Sequence, residues 1–185
     1  MLATPGLTAI RDPDEARRFL LEDALRALPH VAAVAGAIVD IGSGGGSPGI
    51  PIAVTLPDRR VTLLDASRRK CRFLDRWASE LPNVEVVWGR AEEQEIERFG
   101  LALAKALAKP TVAAELTLPL VRVGGIALVW AGKTADRAAV QTAASLLAAE
   151  LEADDAGLLV IRKTGATPAG FPRRPGMAKK RPLAG

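Results

Sequence analysis

Short apolar runs recur along the chain and are separated by longer segments that mix apolar and charged residues. Apolar runs of four to six residues bounded by polar turns are typical of strands that are buried on both faces of a parallel sheet. The runs predict strands at 37–41, 61–64, 84–87, 101–104, 125–130 and 158–163. We expect the last of these to fold back antiparallel with a short partner near 151–154.

The segments between the runs carry apolar residues at helical spacing. They predict helices at 13–28, 48–56, 67–80, 111–120 and 134–149, and a polar helix from about 92 to 98. Strands and helices therefore alternate, which indicates an α/β doubly wound sheet with right-handed crossovers. We expect one domain over residues 1–185, with an N-terminal loop and helix in 1–30 and a basic tail in 164–185.

The densest cluster of glycines follows the first predicted strand. Residues 38–49 read Ile-Val-Asp-Ile-Gly-Ser-Gly-Gly-Gly-Ser-Pro-Gly. A glycine turn between a strand and a helix lets a ligand approach the backbone and presents free N–H groups at the helix start. The acidic-x-Gly-x-Gly-x-Gly pattern from Asp40 resembles the first motif of class I S-adenosylmethionine-dependent methyltransferases, and that resemblance implies a cofactor with an ammonium group. A dinucleotide motif beginning at Gly42 needs a glycine where Ser47 stands, but the motif shifted by two residues does match, and a plain glycine-rich loop also stays open.

Polar residues also follow the second and third predicted strands. Asp65 lies 23 residues after Gly42, an offset at which a carboxylate can accept hydrogen bonds from ribose hydroxyls, although it can equally cap the helix at 67–80. The segment Arg90-Ala91-Glu92 can bracket an adenine ring with backbone N–H groups and a carboxylate. Because the carboxyl ends of parallel strands meet at one edge of a sheet, the three turns predict a single adenosine-binding cleft.

Basic residues are concentrated at the end of the chain. The 185 residues carry 25 Lys and Arg against 21 Asp and Glu, a net charge of +4. Residues 162–185 hold seven of the basic residues and no acid, so the remainder has a net charge of −3. A local cationic tail predicts contact with a polyanion, with a solvated tail as the alternative. A second basic cluster, on the helix at 67–80, is predicted to be a solvated face rather than an RNA contact.

Composition disfavours several other classes of protein. Cys71 is the single cysteine, so no intrachain disulfide can form, and His30 has no companion residues for a zinc site, so we expect no metal. No signal peptide is recognisable, and no apolar run approaches the roughly 20 residues that span a bilayer. These features predict a cytoplasmic protein without membrane contact, and they predict no particular oligomeric state.

A series of short motifs runs through nearly the whole chain. They are Leu7-Thr8-x-Ile10-Arg11-Asp12, the run from Asp40 to Pro51, Lys70-x-x-Phe73-Leu74, Gly89-Arg90-Ala91-Glu92, Val160-Ile161-Arg162-Lys163, Phe171-Pro172-Arg173-Arg174-Pro175-Gly176 and Lys180-Arg181-Pro182-Leu183. Together they resemble the bacterial small-subunit ribosomal RNA guanine-N7 methyltransferases, the RsmG (GidB) type. The glycine motif alone indicates only a methyltransferase, whereas the Pro-Gly-Ile-Pro extension and the Pro-Arg-Arg tail are specific to this family.

The resemblance implies the α/β, Rossmann-like fold of class I S-adenosylmethionine-dependent methyltransferases, with a mostly parallel seven-stranded sheet and a C-terminal antiparallel strand. It implies methyl transfer from S-adenosylmethionine to N7 of guanine 527 in 16S rRNA, with the RNA or the small ribosomal subunit as partner. The expected cofactor-binding residues are Asp40, Gly42, Ser43, Gly44, Gly46, Ser47, Asp65, Ala66, Ala91 and Glu92. The expected RNA-binding residues are Arg162, Lys163, Arg173, Arg174, Lys179, Lys180 and Arg181.

Lys105 stands where the family has a substrate-side arginine after the fourth strand, and the resemblance implies that it is the catalytic residue beside the guanine. Guanine N7 has a lone pair and no proton to lose, so the reaction needs no general base, and the enzyme must hold N7 in line with the methyl group. A donor aimed at guanine O6 alone would orient the base without blocking N7. The base must be exposed, so we expect a single-stranded loop or an extruded nucleotide.

Three positions, Gly100, Lys105 and Ala131, differ from the residues usual in the family. These differences leave open a second function: a protein that retains the fold and binds RNA or the ribosome but has little turnover. A methyltransferase that acts on another substrate is a third possibility.

Overall fold

The computed structural model describes residues 7–184, so the first six residues of the predicted N-terminal loop lie outside it. The strands are β1 (Ile38–Ile41), β2 (Val61–Asp65), β3 (Val84–Trp88), β4 (Phe99–Lys105), β5 (Val121–Trp130), β6 (Ala149–Asp155) and β7 (Leu158–Lys163). They form one sheet in the order β3-β2-β1-β4-β5-β7-β6. β1 to β5 are parallel, and β7 pairs antiparallel with both β5 and β6. The predicted sheet with its antiparallel C-terminal strand is confirmed.

Short helices connect the strands. They are α1 (Pro13–Ala16), α2 (Asp23–Leu25), α3 (Leu28–Ala32), α4 (Gly49–Thr55), α5 (Arg68–Ala78), α6 (Pro110–Thr117), α7 (Arg137–Ser145) and α8 (Met177–Lys180). A π-helical turn at Arg17–Glu22 joins α1 to α2, and 3₁₀ turns lie at Ala91–Glu93 and Leu118–Leu120. No helix in the described part of the chain is long and apolar enough to cross a membrane.

The predicted polar helix at 92–98 is wrong. Only the 3₁₀ turn Ala91–Glu93 forms there, and Glu97 has a positive φ of 55°. Ile96 is the one apolar residue of the segment, so a helix would have no apolar face to bury. The chain instead runs directly into β4.

Two other predicted helices are shorter than expected. The helix at 13–28 is interrupted by the π-helical turn Arg17–Glu22, which periodicity cannot distinguish from a continuous helix. The helix at 134–149 ends at Ser145, because Ala149 already begins β6. The predicted antiparallel partner of the last strand is therefore longer than 151–154.

The sheet is buried on both faces. All four residues of β1 are buried, and successive side chains point to opposite sides of the sheet. Val39 packs in a core with Val112 of α6 and Val140 of α7, whereas Ile38 packs on the other side with Leu74 of α5. Both faces are therefore occupied by helices, which leaves the strand ends as the places for a ligand.

The basic tail is folded against the domain. The tail leaves β7 at the edge of the sheet where the parallel strands begin. The strand pairing shows this, because Arg162 pairs with Ile126, Ile126 with Leu101, and Leu101 with Ile38 at the start of β1. The tail then crosses α6, where the Arg173 guanidinium donates two hydrogen bonds of 2.6 Å to the Glu115 carboxylate. It ends as α8 at the opposite edge of the sheet, beside the strand ends.

Candidate cofactor and RNA site

The carboxyl ends of β1 to β4 surround a cleft of about 260 Å³, called here the cofactor cleft. From β1, the strands β2 and β3 are added on one side of the sheet, and β4 begins the other side. Doubly wound sheets bind ligands in the crevice at such a switch point. Its lining includes Gly42, Asp65, Ala66, Arg90, Ala91, Glu92 and Leu107. The three turns that the sequence placed at one edge of the sheet therefore meet in one cleft.

The glycine turn is fixed to the end of β2. The N–H groups of Gly42 and Ser43 both donate to the Leu64 carbonyl, at 2.7 and 3.1 Å, and the Gly44 N–H donates to Asp65 Oδ2 at 2.9 Å. Gly42 has a φ of 71°, and a Cβ there would lie 2.6 Å from a methyl group of Leu107. The left-handed φ favours glycine here, and the hydrogen bonds to β2 hold the turn at the rim of the cofactor cleft.

Asp65 contacts both the cofactor cleft and the turn that precedes α5. Its carboxylate is 5% exposed and lines the cofactor cleft, and Oδ1 accepts from the N–H of Ser67, the residue before α5. Lys70 Nζ lies 3.8 Å from Oδ2. Each carboxylate oxygen has two acceptor positions, so capacity remains for a ribose diol. Asp65 therefore faces the cleft and also fixes the turn that leads into α5.

Asp40 and Ser43 hold the turn and do not face the cleft, contrary to the cofactor contacts predicted for them. Asp40 is 1% exposed, and its Oδ2 accepts from the Gly49 N–H at 3.0 Å. Burial raises the pKa of Asp40 to about 7, the charge of Asp65 adds to the rise, and the Gly49 hydrogen bond opposes it. The Ser43 hydroxyl, 2% exposed, donates to the Asp40 carbonyl.

A second cleft of about 550 Å³ adjoins the cofactor cleft and shares Gly42, Lys70 and Ala106 with it. We call it the adjoining cleft. Its walls come from the N-terminal segment, the glycine turn and the end of β4, and include Ile10, Phe19, Leu20, Gly44, Ser47 and Lys105. Two of the predicted cofactor-binding residues, Gly44 and Ser47, therefore lie here rather than in the cofactor cleft.

The remaining glycine of the motif, Gly46, packs inside the protein. A Cβ on it would lie 2.4 Å from the Cδ1 atom of Ile50, and it lines neither of the two clefts. The neighbouring Ser47 hydroxyl donates to the Leu20 carbonyl at 2.7 Å. Gly46 thus permits close packing of the turn on α4, and Ser47 ties the turn to the N-terminal segment.

Lys105, the predicted catalytic residue, ends β4 and lines the adjoining cleft. Its side chain is 14% exposed, its ammonium lies 2.7 Å from Asp23 Oδ2, and it also donates to the Phe19 carbonyl. The indole N–H of Trp130 donates to the Asp23 carbonyl at 3.3 Å. Lys105 therefore anchors the N-terminal segment over the cleft. This contact could not be predicted from sequence, because the accepting carbonyl of Phe19 lies in the π-helical turn.

The C-terminal tail supplies a wall that sequence reasoning missed. Gly176, Ala178 and Lys179 line the cofactor cleft, and the Gly176 N–H donates to Glu92 Oε1 at 2.9 Å. Glu92 therefore lines the cleft and fixes the tail. Lys179 was predicted to bind RNA, and the structure places it at the cofactor cleft. The one local feature of the sequence that indicates a turn here is Gly176, which has a φ of 82° just before α8.

The prediction that Lys163 binds RNA is wrong, and Arg162 beside it already has an acidic partner. Lys163 is fully buried, and its ammonium donates to the Leu147 carbonyl at 2.6 Å. Burial lowers its pKa. Arg162 forms an ion pair with Glu152 at 2.7 Å and lies at the edge of the sheet opposite the clefts. Their position in a strand was predicted, but their partners in the fold were not.

The other tail residues divide into two groups. Arg173 is held by the buried Glu115 and donates to the Arg181 carbonyl, so its guanidinium is not directed at solvent. Arg174, Lys180 and Arg181 are exposed on or beside α8. These three cations, with Lys179, lie on the side of the cofactor cleft and remain candidates for contact with RNA.

Sequence comparison places the chain among rRNA methyltransferases. Residues 3–157 match the family model described as GidB, rRNA small subunit methyltransferase G. The chain is 37% identical to the ribosomal RNA small subunit methyltransferase G of Synechococcus elongatus over 96% of its length and 82% of the relative's. It is 36% identical to the protein of the same name in Pelotomaculum thermopropionicum, over 96% and 83%.

Solved structures agree on the fold. A TehB-like SAM-dependent methyltransferase from Corynebacterium glutamicum matches with a TM-score of 0.59 and 17% identity, over 82% of this chain and 97% of that one. The antibiotic-resistance methyltransferase Kmr also matches with a TM-score of 0.59 and 17% identity, over 77% and 93%. At these identities the structures establish only the fold, whereas the family match and the close relatives establish that this chain belongs to the rRNA small subunit methyltransferase G family.

Proposed function

We propose that this protein methylates N7 of guanine 527 in 16S rRNA, in the cytoplasm, on the RNA or on the small ribosomal subunit. Its family makes it an S-adenosylmethionine-dependent rRNA methyltransferase, and the proposal adds the nucleotide and the acceptor atom. The observation that carries it is the continuity of the two clefts, which share Gly42, Lys70 and Ala106. A cofactor in one cleft can thereby present its methyl group to a base in the other.

The cofactor cleft has the chemistry that adenosine requires. Asp65 offers acceptor positions for a ribose diol, and Ala91, Leu107 and Leu116 provide apolar walls for a purine ring. Glu92 adds a carboxylate at the same wall. When bound, S-adenosylmethionine supplies a methyl group on a positively charged sulfur. These residues would hold the adenosine half of the cofactor.

The residues of the adjoining cleft act by holding the base. Guanine N7 carries no proton, so the site needs no general base, and the absence of His and Cys from the lining of both clefts is consistent with the reaction. The Lys105 ammonium has three donors, of which Asp23 and the Phe19 carbonyl take two. The third can donate to guanine O6 and leave N7 uncovered. Phe19 and Leu20 supply apolar surface that excludes water from the base.

The test uses small ribosomal subunits from a strain that lacks the modification. We expect the protein and S-adenosylmethionine to convert guanine 527 to N7-methylguanosine, detected by mass spectrometry of a nuclease fragment of 16S rRNA. Lys105→Met should lower the rate and leave the affinity for S-adenosylhomocysteine within about twofold. Methylation of another nucleotide, or no methylation by the wild-type protein, contradicts the proposal.

The pairing of Lys105 with Asp23 favours a second candidate, a protein that binds RNA with little turnover. A lysine held by an acid is less available to a substrate than a free one. Gly100 lends this candidate no support, because it lies at the end of β4 away from the clefts, where a Cβ would be 2.1 Å from the Ala35 carbonyl oxygen. Cofactor and RNA binding without transfer in the same assay would support this second candidate.

A further inference from the structure

The RNA contact needs cations that are not already used inside the fold. Of the seven basic residues predicted to bind RNA, Lys163 is buried, and Arg162 and Arg173 are held by Glu152 and Glu115. Protein contacts with RNA depend strongly on cations near the phosphates. A second basic surface beside the clefts would therefore complete the interface, and helix α5 provides one.

The exposed side of α5 carries a row of arginines. The helix has five cationic residues and one acid, Asp75. Arg68, Arg72 and Arg76 are spaced by four residues, so they lie along one side of the helix, and all three are exposed. None of them forms an ion pair with another residue in 7–184. Their charge is therefore directed at solvent.

Trp88 makes this surface more than a solvated helix face. It ends β3 with half of its side chain exposed, and the Arg68 guanidinium lies 3.9 Å from the centre of its ring. The indole N–H donates to the Ala66 carbonyl at 3.1 Å, which fixes the ring. An exposed tryptophan beside an arginine is a platform on which unpaired bases stack. The chain has three tryptophans, and a second one, Trp77, is exposed near the far end of α5.

The surface is continuous with the cofactor cleft. Ala66, which accepts the hydrogen bond from Trp88, lines that cleft, and Lys70 of α5 lines both clefts. The arginine row therefore begins at the rim of the cofactor cleft, next to the adjoining cleft that Lys70 also lines. An RNA strand that delivers the base would have its neighbouring phosphates within reach of this row.

We propose that the α5 stripe, defined as Arg68, Arg72, Arg76 and Trp88, binds the single-stranded RNA that flanks the target guanine. The arginines contact phosphates, and Trp88 stacks with an unpaired base. The inference rests on the proposed function for the identity of the RNA. A basic helix with a tryptophan also suits an anionic membrane surface, but the apolar residues Cys71 and Leu74 of α5 are buried, and charged residues outnumber Trp77 on its exposed side.

The test compares two double variants with equal loss of charge. Arg72→Gln with Arg76→Gln removes two cations of the stripe, and Arg60→Gln with Arg98→Gln removes two exposed cations before β2 and β4, at the opposite edge of the sheet. The probe is a 16S rRNA fragment that contains the guanine 527 loop, with affinity measured at several salt concentrations. We expect the slope of log affinity against log salt to fall by about 1.4 in the stripe variant, from about 0.7 for each lost phosphate contact. The control variant should keep the wild-type slope.

A second comparison tests the stacking. Trp88→Ala should weaken binding of the same fragment about fivefold or more, while Trp88→Phe retains most of the affinity, because phenylalanine keeps a ring for a base. The affinity for S-adenosylhomocysteine, measured by calorimetry, should stay within about twofold in all of these variants. A matching fall in the cofactor affinity would assign Trp88 and the arginines to the cleft and overturn the inference.

Other outcomes separate the inference from the proposed function. Equal salt slopes for the stripe and control variants overturn the inference, even where the wild-type protein methylates guanine 527. A wild-type protein that binds the fragment through the stripe but forms no N7-methylguanosine overturns the proposed function and supports the stripe. Binding to phosphatidylserine vesicles that the stripe variant loses, with RNA affinity unchanged, assigns the surface to a membrane and also overturns the inference.

Discussion

Two segments of this chain are strongly basic, and they use their charge in different ways. The segment from Arg162 to the end of the described chain meets polar groups inside the fold, where Arg173 binds the buried Glu115 and Lys163 donates to the Leu147 carbonyl. Helix α5 packs on the interior with its apolar side, and Arg68, Arg72 and Arg76 on its other side face solvent. The comparison shows that a high density of cations does not by itself identify an RNA surface. The partners that each cation finds in the fold decide whether it is available.

The largest expected effect is on the free energy of unfolding, when the buried ion pair between Arg173 and Glu115 is broken. Arg173→Ala leaves the Glu115 carboxylate, 4% exposed, without its cation. Removal of one partner of a buried ion pair is strongly destabilising, so we expect the free energy of unfolding to fall by about 3 kcal/mol in urea titration. The affinity for S-adenosylhomocysteine should fall too, because Gly176 and Lys179 form one wall of the cleft.

The neighbouring arginine provides the matched control. Arg174 is exposed and its side chain has no ion pair in the described part of the chain, so Arg174→Ala should change the free energy of unfolding by less than about 0.5 kcal/mol. Equal stability of the two variants would show that the tail is not docked as described, and the comparison between the two basic segments would then fail.

On its inward side, α5 places Lys70 beside Asp65, and this carboxylate should determine the affinity for the cofactor. Lys70 and Asp65 belong to the cofactor cleft, whereas Asp75 lies on the exposed side of the helix. Asp65→Asn removes the negative charge and one acceptor, and hydrogen bonds to charged groups are the strong ones. We expect about a tenfold loss of affinity for S-adenosylhomocysteine by calorimetry, with RNA affinity within about twofold. Asp75→Asn is the matched control, and an equal loss in both would contradict the assignment of Asp65.

Much of the fold and of the cofactor cleft was predictable from sequence because both depend on local patterns. Apolar runs define parallel strands, and the glycine turn and Asp65 follow two of them directly. Parallel topology then brings those strand ends together at one edge. Asp40 was assigned wrongly for the same local reason: its position at a strand end was visible, but its burial against Gly49 was not.

The RNA side was predictable only in part, because it depends on contacts between distant segments. Arg173 and Glu115 are 58 residues apart, and Lys105 and Phe19 are 86 apart. No periodicity or charge count indicates such pairs. The stripe on α5 was visible as a basic cluster, but its significance depends on Trp88, which another strand places beside Arg68.

One acid on the exposed side of α5 should weaken the attraction of the stripe for RNA. Asp75 is the single acid of α5 and lies among the arginines of the stripe. Asp75→Asn should strengthen RNA binding by about twofold at low salt, as expected for one exposed charge, and the gain should disappear at high salt. Glu150→Gln, an exposed acid on β6, is the control and should leave the RNA affinity unchanged. Weaker RNA binding by Asp75→Asn would contradict the assignment of this surface to a polyanion.

The smallest expected effect on RNA affinity is that of a substitution at Lys163. Because its ammonium is buried, Lys163→Met should keep the wild-type RNA affinity and salt slope, in contrast to the variants of the stripe.

Burial lowers the pKa of Lys163 below its ordinary value of 10.5, and the charge of Glu97 opposes this shift. Unfolding therefore takes up a proton between the folded and unfolded pKa values, and stability rises with pH in that window. The wild-type protein should gain free energy of unfolding relative to Lys163→Met as pH rises toward 10, measured by urea titration. Parallel pH profiles, or a reduced salt slope in the variant, would place this amine in solvent and return Lys163 to the RNA-binding set.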